Sequence, residues 1–422
     1  MKKHFSVILL FLVSNCTLMA QVQRLWATGI TNTIVLDPSL PPDASLTNYV
    51  FTEGTVDQSG NTIVAGIANM NVAVNPETRT NFPAVVAEKV DSSGKRVWEY
   101  FHPEESVGLV DALETDLAGN IFFIASLDPV KRAAALIKLS PKGRRLWQFI
   151  QNDEALPLSY HFATVKPDNA GNAYFLVLRI TVNNPHTDLV LAKISPRGER
   201  VWSQILPWDV KPFDVNGLSK SLSIFSDGNV AAAAGNTIWK LDPMGRILWT
   251  TQKGYPSILV SPKGTICATS LGEAYAVFSR EGRLLESGTG LSGLGMDVQS
   301  VSRQSNFLLA YYGVILELSA NGRLHWQNII RLSPLPDAVP AKEAGWFVLG
   351  GDTGMNLVRL DKGGSEISRT SIPAYFHTGD AQIRKPLHRA PDGTVRVIHN
   401  LRNSNLERDP YGVAITAFQE QP

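Results

Sequence analysis

A nine-residue stretch repeated along the chain limits its fold more than any other feature. It reads VDSSGKRVW ending at Trp98, LSPKGRRLW at Trp147, ISPRGERVW at Trp202 and LDPMGRILW at Trp249. Weaker copies are FSREGRLLE ending at Glu286, LSANGRLHW at Trp326 and LDKGGSEIS at Ser368. Each carries a glycine four places before its end, at Gly94, Gly143, Gly198, Gly245, Gly282, Gly322 and Gly364. Apolar residues alternate into a turn of Asp or Ser, Pro or Ser, and Gly, then alternate out again. That pattern predicts a β-hairpin whose glycine takes up a positive φ.

A second motif alternates with the first: DQSGNTIVAG at Gly60, DLAGNIFFIA at Gly119, DNAGNAYFLV at Gly171, SDGNVAAAAG at Gly228, SPKGTICATS at Gly264 and PDGTVRVIHN at Gly393. Degenerate copies stand around Asn306, RQSNFLLAYY, and at Gly345, KEAGWFVLGG. The second motif therefore outnumbers the first by one, and the chain ends supply the missing hairpin. Gln23-Arg24-Leu25-Trp26 matches the tail of the first motif, and 413–419, VAITAFQ, matches the strand that precedes its turn. Each unit then holds four strands and cannot bury its faces alone, so the units must stack in a circle. The predicted fold is an all-β, eight-bladed β-propeller closed by pairing of N- and C-terminal strands, with seven blades as the alternative if the copy near Asn306 is not a blade.

The N-terminus reads as an export signal. Lys2 and Lys3 precede an apolar run from Phe5 to Val13, shorter than the ~20 residues of a membrane span, and small residues follow. Cleavage after Ala20 makes residues 1–20 a signal peptide and 21–422 a single propeller domain, placed outside the cytoplasm. The sequence VSNC offers a second processing route, with lipid attachment at Cys16. No later segment of the mature chain approaches a transmembrane length. Cys267 is left without an intrachain disulfide partner and reads as a small buried apolar residue. A net charge of +1 does not provide the basic surface that a nucleic-acid partner needs.

The sequence of apolar strand, Asp or Ser, Gly, basic residue and Trp resembles the repeat of the PQQ-like propellers, over nearly the whole mature chain. The family includes quinoprotein dehydrogenases and the propeller lipoprotein of the outer-membrane barrel-assembly machinery. The resemblance implies that Trp26, Trp98, Trp147, Trp202, Trp249 and Trp326 dock between neighbouring blades. The adjacent cysteine pair of the larger quinoproteins is absent here, as is a CxxCH haem motif, so the resemblance implies a scaffold without bound PQQ or other cofactor.

In a propeller the two glycine-marked turns of each unit share one face, and the remaining connections share the other. The longer connections all fall on that second face: 69–81, 102–108, 151–160, 182–188, 207–217, 373–385 and 401–411. Long loops on a rigid scaffold make this the expected working face. Its candidate binding residues are Glu104, Glu105, Asp188, Trp208, Asp209, Tyr375, Asp380, Arg384, Arg402 and Arg408. His102, His161, His186, His377, His388 and His399 are expected on or near it and are the candidates for acid/base chemistry. No HExxH or HxH spacing is present and the Asp-x-x-Gly-Asn turns lack a calcium loop's spaced carboxylates, so no metal site is expected. The favoured reading is an exported, non-catalytic propeller that binds a protein or glycan through the long-loop face. The alternative is an exported hydrolase or lyase with a His/Asp/Glu site at the mouth of the central channel.

Overall fold

The computed structural model describes residues 22–30, 45–75, 78–127, 133–151, 158–181, 187–207, 220–235, 237–252, 255, 257–270, 274–289, 297–311, 314–330, 337–351, 355–372, 383, 385–401 and 412–420. The regular structure among them is antiparallel strand, arranged as six four-stranded sheets and one seven-stranded sheet. The seven-stranded sheet is two blades that share the strand Arg96–Thr115, which is the outer edge of blade 1 and the inner edge of blade 2. The fold is therefore an eight-bladed propeller. Its innermost strands neighbour one another all the way round, from Ser45–Val56 of blade 1 to Leu387–Arg389 of blade 8 and back.

Blade 8 closes the circle with both ends of the chain. Val22–Ile30 pairs with Gly412–Glu420, Arg24 opposite Phe418 and Trp26 opposite Ala417. The pairing gives Val22–Ile30 a sheet partner that it lacks locally, and it covers the outer edge of Gly412–Glu420.

Both glycine turns are five-residue closures with the same hydrogen bonds. In the first of them Asp57 N–H donates to Asn61 O and Gly60 N–H to Asp57 O, and the pattern repeats through Ala390–Thr394. The aspartates act as local acceptors: Asp57 Oδ1 takes the N–H groups of Ser59 and Asn61, the expected Asx geometry. The copy near Asn306 is a true turn, with Ser305 in the glycine position at φ 72°. This settles eight blades over seven. Gly345 departs from the pattern, because Ala341 N–H bonds to Gly345 O and the glycine stands one place later than in the other turns.

Two expected loops are strand instead. The 102–108 connection lies inside Arg96–Thr115, because Glu105 finds a partner in Ala84 and Ser106 the next one in Leu127, with the register shifted on either side of the crossover. Most of 69–81 is a paired ribbon, with Asn71 opposite Asn81 and Asn75 opposite Thr78. The first strand does alternate, with Met70, Val72 and Val74 between asparagines and Ala73, but the second half of the stretch, from Glu77 to Asn81, is polar throughout and has no such alternation to mark it.

The repeated tryptophans interlock the blades. Trp98, Trp147, Trp202 and Trp249 lie against Gly143, Gly198, Gly245 and Gly282 of the next blade, where a Cβ would fall 2.7–2.8 Å from the indole. Their Nε1–H groups donate to the second carbonyl of that same turn, at Pro141, Pro196, Pro243 and Arg280. Glycine is thus required twice at these turns, for its φ and for the ring that covers it. The Trp26 side chain lies outside the described residues.

A lysine, buried in three cases and half-buried at Lys193, accompanies each of these four tryptophans and was not singled out in the sequence. Lys89, Lys138, Lys193 and Lys240 stand directly across the hairpin from Trp98, Trp147, Trp202 and Trp249. Lys89, Lys193 and Lys240 donate to the same carbonyl as their tryptophan, and Lys138 to Gly171 O. Lys89 also pairs with Asp57 at 2.6 Å, both side chains being nearly inaccessible. Lys138, Lys193 and Lys240 lie over the rings of Phe122, Tyr174 and Phe225. The signal was legible as a Lys two places before the turn in EKVD, IKLS, AKIS and WKLD.

Candidate functional site: a charged network in the central channel

The innermost strand of each blade ends in a tight turn, and the residue two places before that turn is interior to the ring. In blades 2 and 3 that residue is charged: Glu114 precedes Asp116, and Lys166 precedes Asp168. Glu114 Oε1 accepts from Lys166 of the adjacent blade and, at 2.6 Å, from Lys385, which enters blade 8. Since blade 1 stands between blades 8 and 2, Lys385 reaches Glu114 through the interior of the ring. Lys220, at the start of blade 4, likewise passes blade 5 to donate to Gln299 Oε1 of blade 6 at 3.0 Å.

These side chains keep only a fifth to a quarter of their surface accessible, 19% for Glu114 and 23% for Lys385. Burial raises the carboxyl of Glu114, but Lys166 and Lys385 outweigh it and hold Glu114 at about 2. Burial likewise opposes the charge of Lys385, yet Glu114 and Glu53 raise it above the ordinary lysine value. Asp337, on the innermost strand of blade 7, is pushed up to about 6 by burial against the opposing charge of Lys220. Its carboxylate accepts the backbone N–H groups of Ala338 and Leu387. The network therefore holds Glu114 ionised at any physiological pH, while Asp337 changes charge within the mildly acidic range.

Among the described residues the histidines do not gather into one centre. His388 is two residues from a tight turn, so it lies toward the tight-turn end of its strand rather than on the long-loop face. Its Nε2 meets Lys385 O at 2.7 Å, and burial lowers it to about 4, so it is neutral at pH 7. His102 is fully buried, with Tyr100 Oη 2.8 Å from its Nδ1. His399 is buried in Val395–Leu401, and His161 lies in the inner strand Leu158–Pro167 with its side chain not described. His325, which is not among those candidates, has a carboxylate partner, Glu317, at 2.9 Å. Among the described residues no group of three or more His, Cys, Asp or Glu is placed to hold a metal.

Of the candidate binding residues, Asp188 stands at the long-loop end of blade 3 and pairs with Arg179 of the neighbouring strand. Glu104 and Glu105 lie within Arg96–Thr115, their side chains not described. Trp208, Asp209, Tyr375, Asp380, Arg384, Arg402 and Arg408, with His186 and His377, fall outside the described residues, as do residues 1–20 and Cys16. Sequence reading missed the channel set of Glu114, Lys166, Lys220, Gln299, Asp337 and Lys385. The available signal was a charged residue interrupting an apolar strand just before a turn, in ALETD and TVKPD.

No protein-family model matches the chain, and no curated protein matches its sequence. Solved structures match in fold. BamB from Moraxella catarrhalis superposes with a TM-score of 0.52 at 15% identity, covering 95% of this chain and 98% of that one. The C-terminal WD40 domain of Sif2 gives a TM-score of 0.55 at 14% identity, covering 88% and 96%. A chain of the mitotic checkpoint complex gives 0.50 at 11% identity, covering 74% and 87%. At these identities the likeness is one of fold, and it agrees with the resemblance of the repeat to PQQ-like propellers.

Proposed function

We propose that this chain is an exported, non-catalytic interaction scaffold that binds a protein or glycan partner through its long-loop face. The observation that carries the reading is the difference between the two faces. Most turns at the tight end are built to one pattern, and those of blades 2–5 are occupied in locking blades together. At the other end the walls differ in height. Thr62–Asn75 and Thr78–Val90 of blade 1 are 14 and 13 residues long, against 5 and 5 for Val230–Ala234 and Thr237–Leu241 of blade 4. At ~3.3 Å per residue the ribbon of blade 1 rises well above its neighbours and makes that rim asymmetric. A shaped rim on a rigid ring is the usual arrangement of a recognition surface. Structural neighbours include a WD40 domain and a chain of a multiprotein complex, which is compatible with this reading. Export rests on Lys2, Lys3 and the apolar run from Phe5 to Val13.

A photo-crosslinking residue at Asp188, on the long-loop end, is expected to capture a defined partner from the native envelope or culture fluid, and one at Lys142, on a tight turn, is not. Equal capture at both positions, or none at Asp188, sinks the reading. Mass spectrometry of the processed chain tests export separately, with Gln21 as the expected first residue and a lipidated Cys16 as the rival result.

A further inference from the structure

The repeat departs from its pattern at the seam between blades 6 and 7, and a cavity of about 260 Å³ opens there on the tight-turn face. Glu317 takes the position that holds a lysine in blades 1–4, directly opposite Trp326. A lysine there would extend toward the next blade. The shorter glutamate stops at the seam, and its carboxylate accepts from Asn306 Nδ2 at 2.8 Å and His325 Nδ1 at 2.9 Å of its own blade and from Trp346 Nε1 of blade 7. Space that the lysine fills elsewhere is left open.

The two turns around the cavity are also the irregular ones. Ser305 occupies a positive φ that favours glycine, and the blade 7 turn carries its glycine one place late. Ser305 is fully buried and its hydroxyl accepts the backbone N–H of Lys263 in the blade 5 turn at 3.2 Å, so a serine at this φ also ties two blades together.

The lining fixes a ligand class. With Nδ1 committed to Glu317, His325 directs Nε2 outward, and its side chain is 40% exposed. Gln304 and Asn306 add side-chain amides, which both donate and accept. Pro340 and the buried Trp346 give an apolar wall. The Glu317 carboxylate is satisfied by its three donors, and Lys362 adds one cationic residue to the lining. The cavity volume is below the ~300–1,000 Å³ of drug-sized pockets. Closely spaced groups that each donate and accept, beside an apolar wall, match the hydroxyls and C–H face of one sugar ring.

We propose that this seam is a binding site for a single pyranose residue, free or at the end of a glycan. It lies on the opposite face from the partner surface above and does not rest on that reading.

Saturation-transfer NMR with a panel of methyl glycosides of the common hexoses and N-acetylhexosamines, followed by calorimetry on any that bind, tests it on the full mature chain. At least one glycoside is expected to bind. Its affinity should fall at least about tenfold in Gln304→Ala, a change of an exposed side chain, and in His325→Phe. Glu317→Lys restores the side chain of blades 1–4 and should abolish binding by filling the cavity. If that variant does not fold, the first two decide. The proposal is overturned if no glycoside in the panel binds, or if binding is unchanged in both Gln304→Ala and His325→Phe.

Discussion

Lys89 and Trp98 face each other across one hairpin of blade 1, and both donate to the carbonyl of Pro141 in blade 2, at 3.3 and 3.0 Å. One acceptor therefore receives an ammonium and an indole from the neighbouring unit. Trp202 with Lys193, and Trp249 with Lys240, repeat the arrangement at the next seams. Stability of a repeat protein resides largely in such nearest-neighbour interfaces.

Trp98→Phe keeps a ring over Gly143 but loses the N–H donor, and should cost about 1 kcal/mol in a denaturant titration. Trp98→Ala also loses the interblade packing and should cost about 2–4 kcal/mol, with the loss reported as a lower midpoint at unchanged slope. Equal effects of the two changes would show that the ring contributes nothing beyond its hydrogen bond.

Gly198→Ala and Gly119→Ala place the same methyl group at positive φ, yet they should differ. At Gly198 the new Cβ falls 2.8 Å from Trp147, whereas at Gly119 the nearest neighbour is Pro141 at 3.6 Å. The second change bears the backbone cost alone, about 1–2 kcal/mol. The first should be worse by at least about 1 kcal/mol.

Lys89→Met removes one member of a buried ion pair and leaves Asp57 with an uncompensated charge. A loss of about 2–4 kcal/mol is expected. Adding Asp57→Asn should recover a large part of it, and a double-mutant cycle reads the coupling directly.

Asp337 sets a pH dependence whose sign follows from its raised carboxyl. Folding favours the protonated form, so its contribution is fully present below the ordinary value of 3.8 and is lost as the pH rises through about 6. Asp337→Asn should therefore stabilise the protein by about 1–2 kcal/mol at pH 8 and leave it nearly unchanged at pH 4. A stabilisation that is the same at both pH values would show that the carboxyl does not titrate in this range. Glu114 works in the opposite sense, since its lowered carboxyl gives stability above 4.5 that is lost as the pH falls toward about 2.

The chain's repeat determined the architecture without help from coordinates. Gly60 and Gly143 mark turns because only certain backbone angles close them, and a turn followed by alternating apolar residues is a local fact of sequence. Ring closure was equally legible, since Gln23–Trp26 and 413–419 are halves of one hairpin that no other part of the chain completes. The meeting of Lys385 with Glu114 was not legible. It depends on which side chains a closed circle of eight sheets turns inward, and on a reach past blade 1 that no spacing along the chain encodes. The cavity at Glu317 is of the same kind. A glutamate in place of a lysine is visible in the sequence, but the space it leaves exists only once the next blade is packed against it, because a void is a property of two surfaces and not of one strand.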